Sequence, residues 1–263
     1  MDAMQDEQKY TAPALEKGLD IIDVLSSQDH GLTQIDIART LDRSVGEIYR
    51  MLVVLQRRGL VALDPAGDRY YLTTKLFEMA NRTPVIARLT VAAAPIMADL
   101  ANTTDESVHL AVLSDESIIV IGQVDNPGYN IMRVRLGARI PAWKTSSGRV
   151  LLANLPEEQF EAFLAEHPHP DGLLPTRLRR ELGGIRRRGY EQMRSYVVKG
   201  VTNISAPIMS HTGIAAAMTI PYVDRHFGSV PIDECRQILV RAAADLSRAI
   251  GGTAGPTAAS GAG

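Results

Sequence analysis

The stretch from Leu32 to Leu72, LTQIDIARTLDRSVGEIYRMLVVLQRRGLVALDPAGDRYYL, constrains the fold of this chain more than any other. Thr33 is placed as a helix N-cap, its hydroxyl able to accept from a first-turn amide with no partner inside the helix. Ile35 and Ala38 behind it fall on one helical face, and Asp42-Arg43-Ser44 marks a turn. Ile48, Met51, Leu52 and Leu55 then recur at the spacing of a buried helical stripe. Gly59 stops that helix, being at ease in the left-handed conformation that helix ends adopt. Leu60 to Leu63 and Arg69 to Leu72 flank Asp64-Pro65-Ala66-Gly67-Asp68, which predicts a hairpin with a five-residue loop. Short helix, tight turn, longer helix and hairpin in this order predict a winged helix-turn-helix, whose second helix presents its outer face to a DNA major groove.

The charge balance pulls against that reading and has to be weighed. The chain of 263 residues carries a formal net charge of −2. Its first 80 residues hold 9 Lys and Arg against 13 Asp and Glu, a net of −4, whereas DNA binding draws much of its affinity from phosphate neutralisation. The acids lie largely before the turn, and Arg43, Arg50, Arg57, Arg58 and Arg69 follow it, so placement offsets the sum. The 45% hydrophobic content suits a globular chain with a full core. The apolar runs fall short of a bilayer span and the N-terminus lacks a secretory pattern, so no membrane partner is expected. A lone cysteine, Cys235, rules out an internal disulfide and suits a reducing cytoplasm; on the last helix it reads as a small packed hydrophobe.

Around the motif the chain divides into segments. Residues 1–12 are polar and are expected to form a disordered arm. Pro13 opens a helix in which Leu15, Leu19, Ile22 and Leu25 share a face, and the DNA-binding head is read as residues 13–80. Thr83-Pro84 is an N-cap followed by proline at the first helical position. It starts an Ala-rich linker helix, 81–102, which Pro95 is expected to kink or restart. From Ser107 the pattern alternates: Val108 to Leu113, Ile118 to Val124 and Ile131 to Leu136 predict strands. Ser146 to Leu155, Glu157 to Glu166 and a basic run, Arg177 to Arg188 with a break at Gly183-Gly184, predict helices. Val201 to Ser205 and Ile214 to Ile220 are further strands, and Asp233 to Ile250 a final amphipathic helix. The second domain, 103–252, is thus an antiparallel sheet flanked by helices, followed by a disordered tail, 253–263. The fold class is α+β.

Taken together, PALEKGLDIIDVLS, GLTQIDIARTL, IYRMLVVLQRRGLV, DRYYLTTKLFEMA, ESVHLAVL, LGARIPAWKTSSGRVLLANLP, LGGIRRRGYE and KGVTNISAPIMSHTGIAAAMTI make the chain resemble the IclR family of transcriptional regulators over nearly all of Pro13 to Gly251. The resemblance implies a winged-helix head, a dimerising linker helix and a GAF-like effector domain. It also implies binding of double-stranded operator DNA as a homodimer or homotetramer, modulated by a small, often acidic metabolite; no cofactor and no metal are expected. On this basis Thr33, Arg43, Ser44, Glu47, Tyr49, Arg50, Arg57 and Arg69 are the DNA-contact candidates, and Met132, Trp143, Lys144, Ser146, Ser147, Arg194, Asn203 and Thr219 the effector-contact candidates.

Several of these carry two readings. Glu47, near a helix start, favours the helix dipole and repels phosphate, yet a carboxylate there can accept from a cytosine amino group. Arg57 and Arg58 are phosphate contacts or solvated charges. Lys144 beside Trp143 is a ligand contact or a lysine snorkelling over an indole. Asn203 and Thr219, on strands, are ligand contacts or satisfied core polars. The chain departs from the family where an acidic turn gives way to Met193-Arg194-Ser195, where a frequent cysteine becomes Asn203, and where a pair of small hydroxyl residues becomes Thr219 and Pro221. Lost acids with Arg194 and Lys144 gained predict an anionic effector, its hydroxyl or carbonyl groups read by Asn203, Thr219 and Ser146. The run Arg177 to Arg188 contains Glu181 and lacks interleaved aromatics, which makes it a solvated helix face. His167 and His169, two apart in a loop, lack the cysteine or carboxylate partners a zinc site needs. No nucleophile elbow or phosphate-binding glycine loop is present. The alternative reading is an enzyme or ligand sensor whose winged helix docks a protein.

Overall fold

The computed structural model describes residues 12–28, 30–81, 84–128, 132–169, 171–225 and 230–252. The expected disordered arm and tail, the Thr83 cap and Ile131 lie outside them, Ala12 and the tail's neighbours up to Gly252 excepted. The chain forms two compact units, Met1–Pro84 and Val85–Gly263.

In the first unit α1 (Pro13–Ser26), β1 (Leu32–Thr33), α2 (Gln34–Thr40), α3 (Val45–Arg57), β2 (Val61–Leu63), β3 (Arg69–Leu72) and α4 (Lys75–Asn81) follow in order. The strands form an antiparallel sheet, β1-β3-β2. The Thr33 hydroxyl accepts from the Asp36 amide at 3.1 Å and caps α2. Gly59, at φ 72°, ends α3, and the Leu60 amide reaches back to the Leu55 carbonyl at 2.9 Å, as helix ends of this kind do. Ile48, Leu52 and Leu55 of α3 pack with Ile21 and Leu25 of α1, Ile37 and Ala38 of α2, Val61 and Tyr70. Two expectations need correction here. Leu15 and Leu19 stand exposed, so the buried side of α1 is Ile21 and Leu25 with Ile22 beside them. In α2 Ile35 is exposed, and the buried isoleucine is Ile37. In helices this short, two apolar sets fit the helical period equally, and packing against the neighbouring helices decides between them.

The second unit opens with α5 (Pro84–Thr104), unbroken through Pro95. Then come β4 (Val108–Ser114), β5 (Ser117–Val124), β6 (Arg139–Pro141), a 3-10 turn (Ala142–Lys144), α6 (Ser146–Ala153), α7 (Glu157–Glu166), α8 (Pro175–Arg188), β7 (Glu191–Arg194), β8 (Val201–Ser210), β9 (Gly213–Val223) and α9 (Ile232–Ala249). The strands make one antiparallel six-stranded sheet in the order β6-β5-β4-β9-β8-β7. Successive strand residues face opposite sides. On one side Val108, Leu110, Ile204, Ala206, Met218 and Ile220 pack with α5 and α9 through Leu89, Met97, Leu100, Leu239 and Leu246. On the other, Ala111, Ile118 and Ala217 pack beneath α6, α7 and α8.

Three elements differ from expectation. Residues 132–136 are not a strand: Gly137 turns at φ 76°, pairing with β5 begins only at the Gly137 and Ala138 bonds to Val120, and β6 is a short strand behind them. Glu191–Arg194 is edge strand β7, so Met193 and Arg194, read as part of a turn with Ser195, lie in the sheet. Helix α8 continues through Gly183-Gly184, because burial of Leu178, Leu182 and Ile185 on one side outweighs the glycines' poor helix propensity.

Candidate functional site

The outward side of α3 is built from two neighbouring i, i+4 rows, Val45-Tyr49-Val53-Arg57 and Gly46-Arg50-Val54-Arg58, and all eight residues are exposed. Its start is fixed by a capping box: the Ser44 hydroxyl accepts from the Glu47 amide at 3.3 Å, and the Glu47 carboxylate accepts from the Ser44 amide at 3.3 Å. Lys17 of α1 adds an ion pair to Glu47 at 2.6 Å. These bonds, the one from Lys17 foremost, hold the Glu47 carboxyl at about 2. In the wing, Asp64 Oδ1 accepts from the amides of Gly67, Asp68 and Arg69 at 2.8, 3.0 and 3.2 Å, which turns that charge into the loop and lowers its pKa. Arg69 donates to the Gly31 carbonyl at 2.8 Å, and Arg43 stands exposed in the turn. Of the candidate DNA contacts, Tyr49, Arg50 and Arg57 therefore lie on the outward side of α3. Thr33, Ser44 and Glu47 are engaged in caps.

In the second unit a cavity of about 250 Å³ opens on the α6 side of the sheet. His109 of β4 pairs across the ladder with Thr219 of β9, and these two with Asn203, Pro221 and Ile118 make its strand wall. Thr145, Ser146 and Ser147 bring the first turn of α6, Met132 to Arg135 and Ile140 cover another side, and Lys144 with Ser195 to Val198 complete it. Helix α6 can start there because the Thr145 hydroxyl accepts from the Gly148 amide at 3.0 Å, and because Gly148 lies against the Ala142 backbone, where a Cβ would meet the carbonyl oxygen at 2.2 Å. Ser146, Ser205 and Thr219 form a buried hydroxyl chain with both links at 2.7 Å. Lys144 Nζ lies 5.0 Å from the centre of the Tyr196 ring, a cation–π contact between two cavity-lining residues.

The charged and neutral groups are separated. Arg133, Arg135 and Lys144 are exposed, Arg133 being paired with Asp125 at 3.2 Å. His109, Ser146, Ser147 and Thr219 are buried. Burial pushes the His109 imidazole down to about 4, so it is neutral at physiological pH, and its Nδ1 has no hydrogen-bond partner. Among the described residues no acidic side chain lines the cavity. The cavity thus gathers Met132, Lys144, Ser146, Ser147, Asn203 and Thr219 from the effector-contact candidates. Trp143 lies outside it, its indole N–H bonded to the His167 carbonyl at 3.1 Å and its ring edge-on to Phe163. Arg194 is also outside, on the exposed end of β7, while its neighbour Ser195 lines the cavity. His109, Arg133, Arg135 and Tyr196 were missed. The signal for His109 was present in ESVHLAVL, a polar residue in phase with Ala111 inside an otherwise apolar strand.

A winged helix-turn-helix followed along the chain by a cavity-bearing antiparallel domain is the architecture of a DNA-binding regulator of transcription. Residues 14–65 match the IclR helix-turn-helix domain and residues 84–248 the C-terminal domain of bacterial transcriptional regulator IclR. The chain belongs to the IclR family. It is 27% identical over 259 residues to the HTH-type transcriptional regulator KdgR of Escherichia coli, covering 94% of this chain and 95% of that protein. To the glycerol operon regulatory protein of Streptomyces coelicolor it is 29% identical over 198 residues, 74% of this chain and 78% of the other. The crystal structure of Thermotoga maritima IclR superposes with a TM-score of 0.69 at 28% identity, covering 90% of this chain and 98% of that one. An IclR homologue of Microbacterium hydrocarbonoxydans, complexed with 4-hydroxybenzoate, shares the fold with a TM-score of 0.75 at 22% identity, again over 90% and 98%. Among the described residues no helix is long and apolar enough to cross a membrane, and no group of His, Cys, Asp and Glu is arranged to hold a metal ion.

Proposed function

We propose that the cavity of the second unit takes a small carboxylate as effector, and that its occupancy governs operator binding at a catabolic or metabolic operon. The observation that carries this is the cavity's charge pattern: Lys144, Arg133 and Arg135 among its lining residues, the first turn of α6 beside them, and no acid among the described residues that line it. The positive end of a helix dipole and basic side chains both favour an anion. Neutral His109, Thr219, Asn203 and the serines supply hydrogen bonds for hydroxyl or carbonyl groups. At about 250 Å³ the cavity is below the roughly 300–1,000 Å³ of sites for drug-sized ligands, which suits a small metabolite.

The 4-hydroxybenzoate complex of the Microbacterium homologue and the glycerol operon regulators suggest the first probes. Fluorescence anisotropy of the protein on labelled DNA from beside its own gene, with 4-hydroxybenzoate, 4-hydroxybenzamide, glycerol and a panel of small organic acids, tests the reading. An acid that shifts binding where its amide does not supports it. A preference for neutral ligands overturns the anionic effector and leaves the regulator standing. The protein is further proposed to act as a homodimer or homotetramer in the cytoplasm, since helix-turn-helix regulators read paired half-sites. Here α5, with Val91 exposed, is the element through which head arrangements would differ. An effector acts only to the extent that its affinity differs between those arrangements. Sedimentation equilibrium decides the assembly.

A further inference from the structure

We propose that α3 reads its operator mainly through thymine methyl groups, with a single guanine contact made by Arg50. The argument starts from what the outward rows of α3 contain and lack. Val45, Tyr49 and Val53 are 45%, 53% and 42% exposed, and Val54 in the next row is 41% exposed. Gly46 has open space where a Cβ would be, so the backbone can approach a groove floor closely there. Arg50 is the one cation in the first two turns of these rows; Arg57 and Arg58 come at the far end.

The groups that would read other bases are missing or engaged. No Asn or Gln, the pair that reads adenine, lies on either row, and neither does Asp or Glu. Glu47, which could have accepted from cytosine, is held by Lys17 at 2.6 Å, the Ser44 hydroxyl at 3.0 Å and the Ser44 amide. The Ser44 hydroxyl is itself consumed in that box, and Gln34 donates to the Val45 carbonyl at 2.9 Å. In the major groove only thymine offers a methyl group, the natural partner of a valine side chain, and an arginine fork matches guanine O6 and N7. From Val45 to Val53 the helix rises roughly 12 Å. That spans three to four base-pair steps of about 3.4 Å. The occupant is therefore B-DNA with a guanine among thymines within about four base pairs, seated on the element that carries the family's helix-turn-helix match.

The test uses the full-length protein and duplexes it selects from a randomised pool. Enriched sites should carry a guanine with thymines close by. Replacing each enriched thymine by deoxyuridine, which pairs identically but lacks the methyl, should weaken binding about three- to fourfold per contacted methyl, the scale of one buried methyl group. Val53→Ala should abolish that loss at one position and keep the guanine preference, while Arg50→Ala should erase the guanine preference, circular dichroism confirming that both variants fold. Deoxyuridine substitution without effect, or enriched sites lacking thymine, overturns the methyl readout. A guanine preference surviving in Arg50→Ala, or no enrichment at all, overturns the assignment of α3 as the reading helix.

Discussion

At the scale of single residues, Glu47 and His109 have pKa values displaced downward for opposite reasons, one because its charged form is bonded and the other because its charged form is buried. Glu47 ties α1 to the start of α3 as a carboxylate, and its pKa of about 2 lies below the ordinary value of 4.5. Its contribution is present above 4.5 and is lost as pH falls toward 2. Glu47→Gln should accordingly lower the melting temperature of the head at pH 7, with parent and variant converging only as pH falls to about 2, and leave base preference alone. Circular dichroism melts at the two pH values check this. His109 is neutral in the folded protein down to about pH 4, whereas the unfolded chain takes up its proton near 6.5. Between those values the unfolded state binds more protons, so the parent gains stability as pH rises. Measured against His109→Gln by urea denaturation, the gain from pH 4 to 6.5 should approach about 3 kcal/mol. Glu106, pushed up to about 7 by burial in spite of Arg225, pulls the other way in this window and cancels in the comparison.

At the scale of elements, α6 and α3 are positioned by means that differ in how visible they are beforehand. The start of α6 depends on contact between Gly148 and Ala142, and Gly148→Ala should destabilise the second unit by about 2 kcal/mol or more and abolish effector response. Thermal denaturation and the anisotropy assay read the two effects. In α3, Ser44→Ala should cost about 1 kcal/mol through the lost cap, and Arg50→Ala should weaken specific DNA binding by about 1–3 kcal/mol, measured on selected duplexes. The Thr33 cap, the Gly59 stop and the wing loop were all legible, because each rests on chemistry within a few residues. The strand expected over 131–136 was not: its apolar residues alternate, but Met132 and Val134 line the cavity in place of pairing with a neighbour. Strand β7 escaped notice for the converse reason, since EQMR has no alternating apolar pattern and exists through its ladder with β8. The cavity was half legible. Motif positions led to Lys144, Ser146 and Asn203, while His109 and Tyr196 lie far apart in the chain and line one cavity only through the order of the strands.

At the scale of the whole molecule, the chain binds an anionic polymer with a net charge of −2 and a head that is net acidic. The structure reconciles this by turning acids inward: Asp64 serves its own loop and Glu47 its own cap. Exposed arginines remain to meet phosphate. Arg57→Ala and Arg58→Ala should each weaken binding uniformly across DNA sequences and reduce the slope of log affinity against log salt by about 1, as salt titrations of anisotropy would show. The sheet carries a last consequence. On β4, β8 and β9 the cavity residues His109, Asn203 and Thr219 have as chain neighbours Val108, Leu110, Ile204, Met218 and Ile220, all packed toward α5 and α9. A change of floor residue therefore risks the core behind it, whereas the coil segments 132–135 and 195–198 carry no such burden. A lineage adapting this regulator to a new metabolite would drift first at the rim and keep its floor, so relatives answering different signals should diverge loop by loop around a shared set of strands.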